Sequence, residues 1–534
     1  MGNTTTGLDW SEQNAPTQEL LVKVTEIVGG ENCLTGSDGA YFYTDVYRSL
    51  EQPLAVVRPT SVEQLQQLAK LTADEGVALT VRGGGASYTD GYIPNQKGLL
   101  LIDLSGLDKI VEINEQDGYV TVEAGVTWAT LKETLAQRGY RTPFWGPFSG
   151  LKATVGGSMS QNSISHGSGA YGISAQSALA MDVVLADGSL LQTGSAAAGS
   201  TPFARHYGPD LTGLFTGDCG ALAIKARITL ALIRIRPSHR TISFAFPDFT
   251  SMHESMRRIA QERLEDTHFA LDGALSQGQI ARQENAGQIF KIAFSILANS
   301  PSLFDGFKQL IKSALSARKA LSSSAYMTHY IVEGVHDAEA KSRLHRLREL
   351  NQDLGREIPA TVPATVRGMP FAPFFNTLGP AGERWVPLHG ILPHSKVNAF
   401  HDALTEFYKV RASDMERLGV WQGGMFGAVG SSGFLYEIAL YWPDEITVYH
   451  QQVIPKDYLD KLPKYEANEE ARNYVEQLKK DLIALFVEHG AINFQLGRAY
   501  PYGSRISPEA LKLITSIKNS VDPTGRIAPG ALEL

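Results

Sequence analysis

Three consecutive glycines behind a short apolar run constrain this 534-residue chain more than any other feature. The segment is Val81-Arg82-Gly83-Gly84-Gly85-Ala86-Ser87. Successive glycines let a backbone approach a ligand closely and turn its amides inward, an anion-binding nest of a size to suit a pyrophosphate. A glycine-rich turn that binds nothing has the same sequence, and the loop alone leaves both readings open. It is not a Rossmann fingerprint, because the third glycine would fall at Tyr88 and no helix follows at once; a Walker lysine is also missing.

The length exceeds what one hydrophobic core usually serves, so two domains or lobes are expected. A formal net charge of -8 and a pI near 5.9 argue against a polyanion-binding surface, which needs clustered Lys and Arg; no nucleic-acid partner is expected. Cys33 and Cys219 are the two cysteines. They are too few for a disulfide framework or a thiolate zinc site, and they read as unpaired thiols in a reducing compartment, with a single bridge as the alternative. Residues 1–14 lack the basic start and apolar core of a signal peptide. No stretch approaches the roughly 18–20 apolar residues that span a bilayer. The expectation is a cytoplasmic protein without a membrane span.

Local patterns give an α and β class. An apolar run at 54–59 reads as a strand. A helix capped by Thr60 or Ser61 follows, with Leu65, Leu68, Ala69 and Leu71 at helical spacing, and it ends at Gly76. Strands are expected at 77–81, 99–104 and 120–125, a helix at 130–137, and strands at 180–185 and 223–235. Residues 156–172 are dense in Gly and Ser without periodicity and read as a long functional loop. From about residue 237 the composition shifts to amphipathic helices at 252–264, 304–321 and 338–353. A strand pair at 425–429 and 434–441 turns at Gly430-Ser431-Ser432-Gly433, and a helix follows at 468–489.

Two further glycine segments follow the first in order: Thr154-Val155-Gly156-Gly157-Ser158-Met159-Ser160-Gln161-Asn162-Ser163 and Phe215-Thr216-Gly217-Asp218-Cys219-Gly220-Ala221-Leu222-Ala223-Ile224. With Val183 to Gly188 (V-V-L-A-D-G) and the tail Asp522-Pro523-Thr524-Gly525-Arg526-Ile527-Ala528-Pro529-Gly530, they resemble the FAD-dependent vanillyl-alcohol oxidase / p-cresol methylhydroxylase (PCMH-type) flavoprotein family. The likeness is greatest to the branch containing vanillyl-alcohol oxidase and 4-cresol dehydrogenase. Asp218, Cys219 and Ala223 depart from the family's G-S-E-G-x-L-G-I segment.

The resemblance implies an α+β fold with a two-lobed PCMH-type FAD-binding domain over 1–236. An α/β cap domain with an antiparallel sheet, which would carry the substrate pocket, is implied over 237–495, and a segment returning to the first domain over 496–534. Arg82, Gly83, Gly84, Gly85, Ala86 and Ser87 would wrap the pyrophosphate. Thr154, Gly156, Gly157, Ser160, Asn162 and Ser163 would line the flavin, His166 would touch cofactor or backbone, and Gly220, Ala221 and Ile224 would lie at the adenine side or the ring edge. Many relatives tether the flavin through a histidine where this chain has Ala86, so FAD is expected to be held without a covalent bond. Tyr441 and Tyr449 are the alternative anchors.

Family members that oxidise phenols use a Tyr-Arg pair, a second tyrosine and an acid. Here Phe494-Gln495 falls at the pair and Ser149 near the acid, while Arg498, Tyr500 and Tyr502 lie a few residues on. Phe and Gln stabilise a phenolate poorly. His389, on a cap strand whose counterpart faces the flavin, is the candidate proton acceptor, with His394 behind it; a structural hydrogen bond is the plainer role for both. Glu437 reads as a pocket acid or as an exposed strand residue. Glu488-His489-Gly490 resembles part of the D-lactate dehydrogenase E-H-G-x-G segment, but Ile492 replaces its second glycine and no metal is expected.

The implied function is FAD-dependent oxidation of a CH-OH or benzylic CH group in a small, aromatic, phenolic or lignin-like substrate, with O2, a quinone or cytochrome c as electron acceptor and a homodimer as the assembly. The alternatives are a D-2-hydroxy-acid dehydrogenase, with a pocket arginine such as Arg498 holding the carboxylate, and a flavin-fold binding protein without turnover.

Overall fold

The computed structural model describes residues 15–276, 325–371 and 373–534; the helix expected over 304–321 lies outside them. The first sheet has four strands in the order Cys33–Leu34, Ala55–Val57, Leu100–Asp103, Leu79–Arg82, and the last three are parallel. Its strands are short and apolar on both faces, as parallel strands covered on both sides are. The helix Val62–Asp74 packs Leu65, Leu68 and Ala69 against it, and the Ser61 hydroxyl caps the helix by accepting from the Gln64 N–H. A five-stranded antiparallel sheet follows, ordered Ile110–Asn114, Tyr119–Glu123, Ile224–Ala231, Ala178–Val184, Leu190–Gln192. One hydrophobic core, including Leu100, Ile102, Val122 and Ile228, serves both sheets.

A seven-stranded antiparallel sheet carries the second core. Its order is Arg356–Ile358, Ser238–Phe246, Tyr326–Gly334, Thr267–Asp272, Trp421–Val429, Gly433–Trp442, Arg384–Pro393. The helices Phe249–Glu262, Val397–Leu418 and Glu469–Glu488 cover one face with Met252, Phe400 and Phe486. The α+β class and its antiparallel cap sheet agree with the sequence reading.

Two local expectations are corrected. The stretch 156–172 is not a plain loop: Val155–Gln161 and Ser168–Tyr171 are short helices. The Thr154 hydroxyl caps the first by accepting from the Gly157 N–H at 3.2 Å. The strands Thr267–Asp272 and Tyr326–Gly334 were not anticipated, because both are buried along nearly their whole length and so lack the alternation that marks a half-exposed strand.

The chain's last turns come back to the first sheet. The Leu79 N–H donates to the Arg526 carbonyl at 2.9 Å and the Ala528 N–H to the Leu79 carbonyl at 2.8 Å, making a parallel bridge with Ile527. The buried Lys518 ammonium fixes this return by donating to Asp522 Oδ2 (2.7 Å) and to the carbonyls of Ala221 (2.6 Å) and Ile527 (2.9 Å), so its three protons are all taken.

Candidate active site

The first glycine loop leaves its strand at Arg82 and lies against the turn that precedes the Thr154-capped helix. A Cβ on Gly84 would sit 1.6 Å from the Lys152 carbonyl oxygen, so two backbones touch there and only glycine fits. The amide N–H groups of Gly84, Gly85, Ala86 and Ser87 donate to no acceptor among the described residues. They face a cleft of about 120 Å³ whose other walls include Thr154, Gly156, Gly157, Ser160, Ser163, Gly220 and Ile224. Among the described residues lining this cleft there is no Asp or Glu. Lys225 does, and its ammonium is held by the buried Asp218 carboxylate at 2.6 Å.

A larger chamber of about 440 Å³ adjoins the cleft, and Ala86, Pro147, Ser149 and Gln495 form the wall common to both. The chamber is walled by aromatic rings, among them Tyr88, Phe148, Phe269, Trp385, Phe426 and Phe494. Strand alternation supplies its floor. In Gly433–Trp442, Phe434, Tyr436, Ile438 and Leu440 enter the core, which sends Leu435 and Glu437 to the opposite face and into the chamber. Glu437 is thus neither core nor solvent-exposed. Burial pushes its carboxyl up to about 7, because a carboxylate is poorly solvated among rings. His268 also lines the chamber, but its Nε2 accepts from the Ala428 N–H at 2.6 Å, and its Nδ1 faces Glu265 at 3.2 Å. Among the described residues lining the chamber there is no Lys or Arg.

Several expected site residues lie elsewhere. Arg82 turns away from the cleft: its guanidinium donates to Asp103 (3.3 Å) and to the Gly83 carbonyl (3.2 Å) and packs over Tyr41, Phe42 and Tyr92. It props the glycine loop from beneath. Asn162 ends the Val155–Gln161 helix in the left-handed region (φ 53°) and packs on Gly217. The Ala221 carbonyl accepts from Lys518. His166 is fully buried, stacked on Trp145 at 4.3 Å with Nε2 2.8 Å from the Pro370 carbonyl, and burial lowers it to about 4. None of these four lines the cleft.

The proposed catalytic set divides in the same way. Ser149 and Gln495 stand in the shared wall. His389 does not reach the chamber. It lies beside Glu437 on the neighbouring strand, but Phe494 stacks over it at 4.0 Å and Tyr500 packs at 5.1 Å. Both ring nitrogens are buried without a partner and burial pushes the ring down to about 3, so it stays neutral and packs as a core ring. His394 pairs with His253 at 3.1 Å, away from the chamber. Arg498 donates from Nε and Nη1 to the carbonyls of Pro529, Asp90 and Ile93, and its buried Nη2 has no partner among the described residues; it lines neither the cleft nor the chamber. The Tyr500 hydroxyl accepts from the His389 N–H at 2.9 Å, and Tyr502 packs against the first core. Tyr441 stacks on Trp421 at 3.9 Å and Tyr449 is buried beside Tyr41; neither lines the cleft or the main chamber. Both cysteines are free and buried. Cys219 lines the cleft, where its sulfur accepts from the Gly497 N–H at 3.1 Å and burial raises its thiol to about 12.

Residues 53–194, which hold the glycine loop and the Thr154-capped helix, match the family model of the FAD binding domain. The chain carries an FAD-binding domain. The cleft suits this group: unpaired amides at the glycine loop and walls without a carboxylate fit a pyrophosphate, and the apolar edge toward Ala86 and Ser149 fits a flat ring. The resemblance of this domain extends to an uncharacterized FAD-linked oxidoreductase of Mycobacterium tuberculosis, 27% identical over 248 residues, 45% of this chain and 51% of that protein. A glycolate oxidase subunit GlcD of Bacillus subtilis is 28% identical over 229 residues, 42% of this chain and 46% of that protein. A probable mitochondrial D-lactate dehydrogenase of Danio rerio is 28% identical over 255 residues, 47% and 50%. The chain spans about half the length of these relatives.

The fold as a whole is similar to p-cresol methylhydroxylase with substrate bound (TM-score 0.71, 17% identity, 97% of each chain covered). It is similar too to 4-ethylphenol oxidase from Gulosibacter chungangensis in its isoeugenol complex (TM-score 0.68, 16% identity, 99% of this chain and 98% of that one). The FAD-binding domain and its cap therefore share the PCMH-type architecture. Relatives by sequence are named for glycolate and D-lactate, those by structure for p-cresol and 4-ethylphenol. Among the described residues no helix is long and apolar enough to cross a membrane, and no three His, Cys, Asp or Glu side chains are grouped to hold a metal.

Proposed function

We propose that this chain is an FAD-linked oxidase or dehydrogenase that oxidises a CH-OH or benzylic CH group of a small, neutral aromatic substrate. The observation that carries this reading is the aromatic chamber that shares the Ala86–Ser149–Gln495 wall with the cofactor cleft and, among the described residues, holds one carboxyl, Glu437, in its floor. FAD, when bound, supplies the hydride acceptor. The protein's part is to clamp a flat molecule between rings, exclude water and receive the substrate's proton on the Glu437 carboxylate. Each turnover removes one hydride and one proton.

The D-2-hydroxy-acid alternative is favoured by the names of the sequence relatives. The chamber opposes it: a substrate carboxylate would be desolvated there without a cation to pair with, and a phenolate would meet the same difficulty. Anaerobic addition of benzyl alcohol should bleach the flavin absorbance, whereas D-lactate should leave it unchanged. Bleaching by D-lactate alone would transfer the assignment to the hydroxy-acid class.

With Ala86 facing the cleft and the cap tyrosines outside it, FAD is held without a covalent bond. Acid precipitation of the holoprotein should leave a yellow supernatant over a colourless pellet; a yellow pellet would mean a tether.

A further inference from the structure

Glu437 stands in the chamber floor with no hydrogen-bond partner among the described residues. Its cross-strand neighbours are His389 on one side and Met425 on the other. Rings gather at this point. Tyr88 lies roughly perpendicular to Trp385 (centroids 5.7 Å apart) and to His389 (6.2 Å), and Phe494 stacks on His389 at 4.0 Å. Tyr88, Trp385, Phe494 and Met425 all line the chamber. A carboxyl is thus set among three π-systems and a thioether, with no Lys or Arg among the described lining residues to neutralise it.

Such a wall suits positive charge. Aromatic faces attract a cation, most strongly where water is excluded, and quaternary ammonium groups are the ligands that ring-lined sites recognise best. The thioether is soft and polarisable. The carboxylate adds a full opposite charge. Its own desolvation is already met in the free protein, so pairing with a cation relieves it. A cavity of roughly 150 Å³ holds one benzene ring, so the chamber of about 440 Å³ has room for a ring that bears an ammonium group.

We propose, resting on the assignment of this chamber to the substrate, that it also takes small organic cations of the arylalkylammonium class. The cation lies against the Glu437 carboxylate beside Tyr88 and Phe494. That is where the proton of the neutral substrate is received, so the cation inhibits the oxidation competitively. It pairs with the ionised carboxyl in preference to the protonated one, which makes the inhibition stronger as pH rises.

Benzyltrimethylammonium is the probe, because it has no ionisable proton of its own. Its Kd for the holoprotein is read by calorimetry across the pH range around neutrality, beside neopentylbenzene, which has the same shape without the charge. Burial raises the Glu437 carboxyl to about 7, so below that pH the cation must displace a proton in order to pair. Its Kd should weaken roughly tenfold per pH unit below that value and level off above it. Neopentylbenzene should bind alike throughout. The neighbouring groups do not supply this profile: burial holds the Tyr88 and Tyr500 phenols well above their ordinary range and the His389 ring down at about 3. Tyr458 and His268 complete the titratable lining among the described residues, and His268 is engaged with the Ala428 N–H and Glu265. Glu437→Gln should remove the pH dependence and weaken the cation roughly 100-fold on the alkaline side, the equivalent of about two pH units, with neopentylbenzene unaffected.

A pH-independent Kd for the cation, or a profile that survives Glu437→Gln, would overturn the proposal. So would slowing of anaerobic bleaching by benzyl alcohol that more alcohol cannot relieve, because the cation would then sit elsewhere. The wild-type pH profile needs no variant, so the test stands even if Glu437→Gln fails to fold. Should benzyl alcohol not bleach the flavin at all, the aromatic-alcohol reading falls, and the calorimetric profile still decides separately whether the chamber holds the cation.

Discussion

Replacing Glu437 by glutamine should lower kcat on an aromatic alcohol by about 10²- to 10⁴-fold, the range in which general bases contribute, while FAD content stays at the wild-type level. The side chain keeps its size and its place in the chamber floor, so what is lost is the ability to accept a proton. The pH dependence sharpens the test. Burial raises this carboxyl to about 7, so at lower pH the group is protonated and idle in the resting protein. The wild-type rate should fall roughly tenfold per pH unit below that value and level off above it. The Glu437→Gln residual rate should show no such limb. A rising limb near neutrality that persists in the variant would assign the proton to another group.

Gly84→Ala should yield a protein that purifies without flavin. The added Cβ would stand 1.6 Å from the Lys152 carbonyl oxygen and 2.5 Å from its carbon. Backbone faces backbone there, with no flexible side chain to give way. Relief requires the glycine loop and the 149–154 turn to separate, and these are the two walls of the cleft. The visible spectrum of the purified variant reads the outcome directly. Gly118→Ala is the control. Its φ of 72° imposes the same left-handed strain as other turn glycines, yet nothing lies within 4 Å of the new carbon. It should lose only about 1 kcal/mol of stability and remain yellow. A yellow Gly84→Ala protein with normal FAD content would refute the steric argument.

These contrasts show where the sequence was legible. The order of the glycine segments and the helix-capping residues is local information, and from it the FAD-binding fold and many of the cleft-lining positions could be read. Arg82 and Arg498 were misplaced because an arginine in a motif does not disclose its partner: Asp103 and the Pro529 carbonyl claim them across long stretches of chain. His389 and Glu437 are cross-strand neighbours on one face, and alternation gives that face correctly for both. Whether the face is solvent, cavity or core depends on what closes over it. Phe494 arrives from a distant segment to cover the histidine and leaves the glutamate open to the chamber. Nothing in either strand encodes that choice. A carboxylate among Phe434, Leu435, Tyr436 and Ile438, in a strand with no other charge, was the signal that could have raised Glu437 above an ordinary surface residue.

The parallel bridge between Leu79 and Ile527 has a consequence for biosynthesis. The first sheet is assembled from strands between Cys33 and Asp103, but the partner of its edge strand is Ile527, which follows the whole cap sheet in the chain. Residue 79 must therefore wait for residue 527, with the whole cap sheet synthesised in between. Contacts so distant in sequence form late and slowly. The glycine loop begins at the end of that edge strand, and the bridge gives the strand its second partner. Cofactor capture should therefore wait for the return segment, and nascent chains stalled before it should emerge from the ribosome with an open edge and no flavin.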